Sequence, residues 1–126
     1  MKKLLALSLI IISSITLAAQ AITPSDVVNS PEKYDKKVIK VRGIVKKFKT
    51  KISKAGNDYI LFDLTSGSEK IVIFGRGKLE RDLVDGDKVE VEGVFNKFKT
   101  VRSATFKNEL DCSGRKGEKP KISTVK

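Results

Sequence analysis

Apolar and charged residues alternate from Lys37 onward, with Ile39, Val41 and Val45 on one side and Lys40, Arg42 and Lys46 on the other. This two-residue period is that of a half-buried strand. Gly43 interrupts it and predicts a bulge or sharp bend. The lysine-laden run KKFKTKISKAGND follows and reads as a loop turned by Gly56 and Asn57. The period resumes over Asp58–Thr65, where Ile60, Phe62 and Leu64 alternate with Tyr59, Leu61 and Asp63. Ser66-Gly67-Ser68 then predicts a turn, making a third strand, Glu69–Gly75, the hairpin partner of the second. On that third strand either Ile71 and Ile73 or Val72 and Phe74 face inward, and the pattern leaves both open.

From Gly75 to Asp87 the alternation stops. Leu79, Leu83 and Val84 fall at helical spacing before an Asp85-Gly86-Asp87 turn, which predicts one short helix closing the end of the barrel. A fourth strand, Lys88–Phe95, places Val89, Val91 and Phe95 inward, and a fifth, about Val101–Leu110, alternates less cleanly through Ala104, Phe106 and Leu110. Upstream, Ser25 is a candidate N-cap for a short helix carrying Val27 and Val28, stopped by Pro31, with Tyr34 packing this segment across the barrel end. The domain plan is therefore a helical segment at 22–36, a barrel at 37–112 and a tail at 113–126. That tail has no apolar period and is expected to be a mobile basic extension.

One phrase occurs twice, fifty positions apart: KVRGIVKKFKT at Lys40–Thr50 and EVEGVFNKFKT at Glu90–Thr100. Each copy runs a strand through a glycine into K-F-K-T. Two strands that end alike predict two basic arms flanking one surface.

The N-terminus changes what counts as the domain. Lys2 and Lys3 precede an apolar run from Leu4 to Leu17 and a small-x-small site at Ala19 and Ala21. Residues 1–21 thus read as a secretory signal peptide, because the fourteen residues of the apolar run Leu4–Leu17 fall short of the roughly 20 needed to span a bilayer. A periplasmic or secreted monomer with no stable membrane insertion is expected. Setting Lys2 and Lys3 aside, 24 Lys and Arg face 15 Asp and Glu, a charge of +9. Such an excess points to nucleic acid or another polyanion. There is no histidine and only one cysteine, Cys112, which removes His-dependent nucleophiles, His-based zinc sites and any internal disulfide. No cofactor is implied by the residues themselves.

The element order β-β-β-α-β-β resembles the OB-fold, an all-β, five-stranded Greek-key barrel, over roughly Val38 to Leu110. The runs VRGIVKKF, YILFDLTSGSEKIVIFGRG, DGDKVEVEGVFNKF and ATFKNEL are similar to the small OB domains of the tRNA-anticodon and helicase type. The resemblance implies a single-stranded nucleic-acid ligand lying across strands two and three, between the loop joining strands one and two and the loop joining four and five. On that expectation Lys46, Lys47, Lys49, Lys51 and Lys54 form one pincer and Lys97, Lys99 and Arg102 the other. Arg42, Tyr59, Phe74 and Arg76 form the floor, and Phe48 and Phe98 either stack on bases or fold over a barrel end.

Other resemblances compete. Asp85-Gly86-Asp87 is similar to a fragment of the calcium-dependent secreted thermonucleases, also OB-folds, but the other acids, Asp63, Glu69, Glu90 and Glu92, are scattered. A metal-dependent nuclease needs its carboxylates convergent, so no enzymatic activity is expected. The exported haem chaperones of cytochrome c maturation attach haem through a histidine or, in some members, the cysteine of C-x-x-x-Y just after the barrel. Cys112 stands in that place, with Lys116 where the tyrosine would be. Small exported stress-type OB proteins imply instead a ligand other than nucleic acid, such as an anionic glycan or a protein partner.

Overall fold

The computed structural model describes residues 21–101 and 103–125, apart from the Val101 side chain. The expected signal peptide, bar its last residue, and Arg102 lie outside the described residues. The chain forms α1 (Pro24–Asn29), α2 (Pro31–Tyr34), β1 (Val38–Ile52), β2 (Asp58–Ser66), β3 (Glu69–Arg76), β4 (Lys88–Val101), β5 (Ala104–Asp111) and β6 (Ile122–Thr124). Strands pair in the order β1-β2-β3-β5-β4, β4 pairs back to β1, and β6 adds to β4. All pairings are antiparallel except β3 with β5. The result is an all-β OB-fold barrel, closed so that its five strands share neighbours and leave few bare edges.

The inward set follows the period-two reading. Ile39, Val41, Val45, Ile60, Phe62, Leu64, Val89, Val91, Phe95 and Leu110 are buried, and Ile71 and Ile73 join them, so Val72 and Phe74 face outward. Full burial of one such aliphatic or aromatic side chain contributes about 1.5–3 kcal/mol.

The repeated glycines turn corners. β1 pairs with β4 over Val38–Ile44 and with β2 over Ile44–Ile52. β4 likewise pairs with β1 up to Val94 and with β5 from Val94 onward. Gly43 and Gly93 sit where each long strand changes partner, and the next chain presses close. A Cβ on Gly43 would lie 2.8 Å from the Thr65 carbonyl oxygen, and one on Gly93 would overlap the Asp111 carbonyl. The bulge itself lies later, between Lys46 and Lys49, where Lys47 takes φ 58° and donates its N–H to Asp85 Oδ1 at 2.9 Å.

Four expectations are corrected. The K-F-K-T segments are strand ends rather than loops, because β1 continues to Ile52 and β4 to Val101; only Ser53–Asn57 turn the first arm. No helix forms between β3 and β4. Gly77 adopts φ 100°, and Asp87 Oδ2 accepts the Val84 N–H at 2.9 Å, so a turn holds the donor a helix would have used. Leu79 and Leu83 still pack on the core from an irregular segment.

At the N-terminus, Thr23 and Asp26 form a reciprocal capping box on α1 with Pro24 at the first position, which fixes the helix start. Ser25, the expected cap, instead contacts Ser66 through both its N–H and its hydroxyl. The tail, finally, is folded onto the barrel. Ser113 Oγ accepts the Arg76 N–H at 2.9 Å, Pro120 is buried against Gly75, and β6 pairs with Val89–Val91.

Candidate nucleic-acid interface

Cross-strand register assembles the outward face of β1, β2, β3 and β5, because directly paired residues project to the same side of a sheet. One row reads Lys51, Tyr59, Arg76; the next reads Lys49, Leu61, Phe74, Asp111; the third reads Lys46, Asp63, Val72, Glu109. Tyr59, Leu61, Phe74 and Val72 thus fill most of the middle of the face, with Arg76 and the Lys70-paired Asp63 beside them; cations line its β1 edge and acids its β5 edge. The bulge at Lys47 makes this possible. Uninterrupted alternation would set Lys46, Phe48 and Thr50 on one face. The extra residue turns Phe48 inward, with its ring 5.9 Å from that of Phe62, and brings Lys49 and Lys51 onto the side of Lys46.

Tyr59 and Phe74 meet diagonally with ring centroids 5.6 Å apart and planes tilted by 38°. Both are half-buried, so each keeps part of its ring open to solvent. From β4, the Lys99 ammonium reaches across and lies 4.9 Å from the Phe74 centroid. It also donates to Glu109 Oε1 at 2.9 Å and approaches Asp111 Oδ2 at 3.9 Å. Among the described residues, Lys46, Lys49, Lys51 and Arg76 make no ion pair, and all four are exposed.

The structure therefore brings together Lys46, Lys49, Lys51, Tyr59, Phe74, Arg76 and Lys99. It separates the remainder. Arg42 lies on the β1–β4 wall, where its Nε donates to Glu90 Oε2 at 2.8 Å, opposite its register partner. Lys97 is tied to the N-terminal segment. Its N–H donates to Asp35 Oδ1 at 2.8 Å and its Nζ to Glu32 Oε1 at 2.6 Å, a contact that holds the Glu32 carboxyl below its ordinary range. Lys47 marks the bulge, and Lys54 the turn at the tip of the β1–β2 arm. Phe98 is 50% exposed beneath Lys97, so the two K-F-K-T copies have different surroundings.

The sequence reading sets Leu61 opposite the core set and leaves Val72 open, but places neither in the site; burial of Ile71 and Ile73 turns Val72 outward beside Leu61. It names Lys99 without its partners Glu109 and Asp111. No local signal marks Glu109, an acid only 4% exposed. The Asp85–Asp87 turn has a structural use, since both carboxylates accept backbone N–H groups.

Cys112 is buried in the core cluster. Its sulfur lies against Gly75, which Pro120 also approaches, and burial, with a smaller contribution from the Asp111 charge, pushes the thiol up to about 12. A protonated, covered thiol is not a nucleophile or a metal ligand.

The sequence model of the CcmE domain family matches residues 18–109. No curated protein matches the chain. Two solved structures share the fold. One is a Leishmania major Friedlin chain described as an aspartyl-tRNA synthetase, at TM-score 0.59 and 19% identity, covering 84% of this chain and 20% of that one. The other is from yeast Stn1 and Ten1, at TM-score 0.58 and 15% identity, covering 86% of this chain and 64% of that one. The present chain thus spans about a fifth of the first and just under two-thirds of the second.

Proposed function

The chain belongs to the CcmE domain family, and from that premise we propose that it is an exported OB-fold binding module that holds single-stranded nucleic acid, without enzymatic activity. The observation that carries this reading is the row pattern. Unpaired cations on β1 border a half-open Tyr59–Phe74 pair at the centre of the face. Lysines there take phosphates, while each ring offers a base a stacking surface that is sequence-tolerant and worth about 1–3 kcal/mol. Export rests on the N-terminal charge and hydropathy pattern.

Covalent haem attachment, the resemblance implied by Cys112, does not fit these residues. There is no histidine in the chain, and the one thiol is fully buried beside Gly75. The reading is therefore of a CcmE-type barrel whose open face, rather than the Cys112 thiol, does the binding.

Fluorescence anisotropy of labelled single-stranded oligonucleotides, titrated with NaCl, tests it. Lys46, Lys49 and Lys51 replaced together by Ala should lower the salt slope by roughly 0.7 per lost phosphate contact, and Tyr59→Ala should weaken binding at every salt concentration. A sulfated glycan that binds as tightly, and is indifferent to Tyr59→Ala, would assign the face to a different polyanion.

A further inference from the structure

Beyond the end of β3 lies a cleft of about 640 Å³ between Asn57–Asp58, Arg76–Lys78 and the segment Gly114–Lys119. Its far wall is held in place on both sides. Ser113 Oγ accepts the Arg76 N–H, Pro120 packs over Gly75, and β6 locks the chain onto β4. Two of the three acids in and around the cleft face lysines, and the third is held to the main chain. Asp58 faces Lys78 at 3.9 Å, Glu118 Oε1 accepts the Arg115 N–H at 2.8 Å, and Glu80 pairs with Lys119. Among the described residues this leaves Arg76, Arg115 and Lys116 with exposed, unpaired cationic groups around one recess.

The recess continues the face already described, because Arg76 both lines it and is the register partner of Tyr59. A strand stacked on Tyr59 and Phe74 and running toward Arg76 meets the Gly114–Lys119 wall. We propose that this cleft receives the terminal phosphomonoester of a single-stranded oligonucleotide, so that the module prefers a phosphorylated chain end to an internal stretch. The inference rests on the nucleic-acid reading of the β1–β2–β3 face. A terminal phosphate carries about −1.5 to −2 charges near neutral pH, more than the single charge of a backbone diester. Two guanidinium groups can meet it with forked, charge-assisted hydrogen bonds.

The experiment compares the purified protein's affinity for one oligonucleotide of about eight nucleotides, within the site size of a single OB-fold. It is prepared with a 5′-phosphate, with a 3′-phosphate and with hydroxyls at both ends. One phosphorylated form should bind about tenfold more tightly than the hydroxyl form, as expected from one added charge-assisted contact. The double variant Arg115→Ala/Lys116→Ala should abolish that preference while leaving affinity for the hydroxyl form unchanged, since neither residue lies on the stacking face. Equal binding of all three forms, or a preference that survives in the double variant, overturns the cleft assignment and leaves the face intact. Failure of every form to bind overturns both.

Discussion

The Lys99 ammonium sits 4.9 Å from the centre of the Phe74 ring and 2.9 Å from Glu109 Oε1, so one cation serves an exposed aromatic surface and a buried carboxylate together. Glu109 is 4% exposed, and removing its partner strands a charge in the barrel wall. Losing one member of a fully buried pair costs about 3–5 kcal/mol. Because the Lys99 side chain is itself 30% exposed, Lys99→Met is expected to cost about 2 kcal/mol in urea denaturation. Lys99→Met/Glu109→Gln should recover most of that loss. Equal destabilisation in the single and double variants would show that the pair is not what Lys99 contributes.

Cys112 gives the barrel an alkaline limit. Its thiol is raised from an ordinary 9.0 to about 12, so well below pH 9 it is protonated in the folded and unfolded chains alike. Between pH 9 and 12 the unfolded chain releases a proton that the folded chain retains, and stability declines across that window. Denaturation midpoints measured from pH 8 to 11 should fall less steeply in Cys112→Ala than in the native protein. A thiol reagent at pH 8 should label Cys112 only after denaturant is added; rapid labelling of the native protein would contradict its enclosure.

The two corner glycines predict a graded series. A Cβ at position 93 would collide with main-chain atoms of Asp111 and Cys112, and one at position 43 with the Thr65 carbonyl and the Leu64 side chain. Gly93→Ala should cost at least about 3 kcal/mol, the upper part of the range for overpacking. Gly43→Ala should cost less, because the Leu64 side chain can shift. Thermal denaturation of both variants checks the order.

Phe48 and Phe98 occupy equivalent places in the repeated phrase and should respond unequally to truncation. Phe48 packs on the core beside Phe62, so Phe48→Ala is expected to cost about 2 kcal/mol, less than the 3–5 of a fully buried Phe. Phe98→Ala, at 50% exposure, should remain within about 0.5 kcal/mol of the native protein. Similar losses at both sites would mean that the second arm is packed as tightly as the first.

Strict alternation made the strands legible, and the corner at Gly43 was readable as an interruption in it. The meaning of the repeat was less accessible. K-F-K-T looks like a loop because of its lysines, yet the backbone pairing of β1 with β2 carries through to Ile52. The parity shift at Lys47 depends on a hydrogen bond to Asp85, thirty-eight residues away, and so has no local signature. Leu79 and Leu83 produced a helical spacing that Asp87 overrides by capturing the Val84 N–H. The segment after Ser113 carries little apolar character because its attachment is largely main-chain pairing plus Pro120 on Gly75, neither of which appears in a hydropathy pattern. For the candidate site, Lys46 and Tyr59 were visible as outward positions, whereas Lys49 and Lys51 read as loop residues and reach this face only through the bulge. Arg42 was misplaced because β1 faces a different neighbour on either side of its corner.

That change of neighbour makes β1 and β4 common property of both halves of the ring. Neither the β1–β2 hairpin nor the β4–β5 hairpin can peel away without tearing the seam its long strand also supplies to the other half. The barrel body should consequently melt as one cooperative unit, with amide exchange before global opening confined to the tips of the two arms.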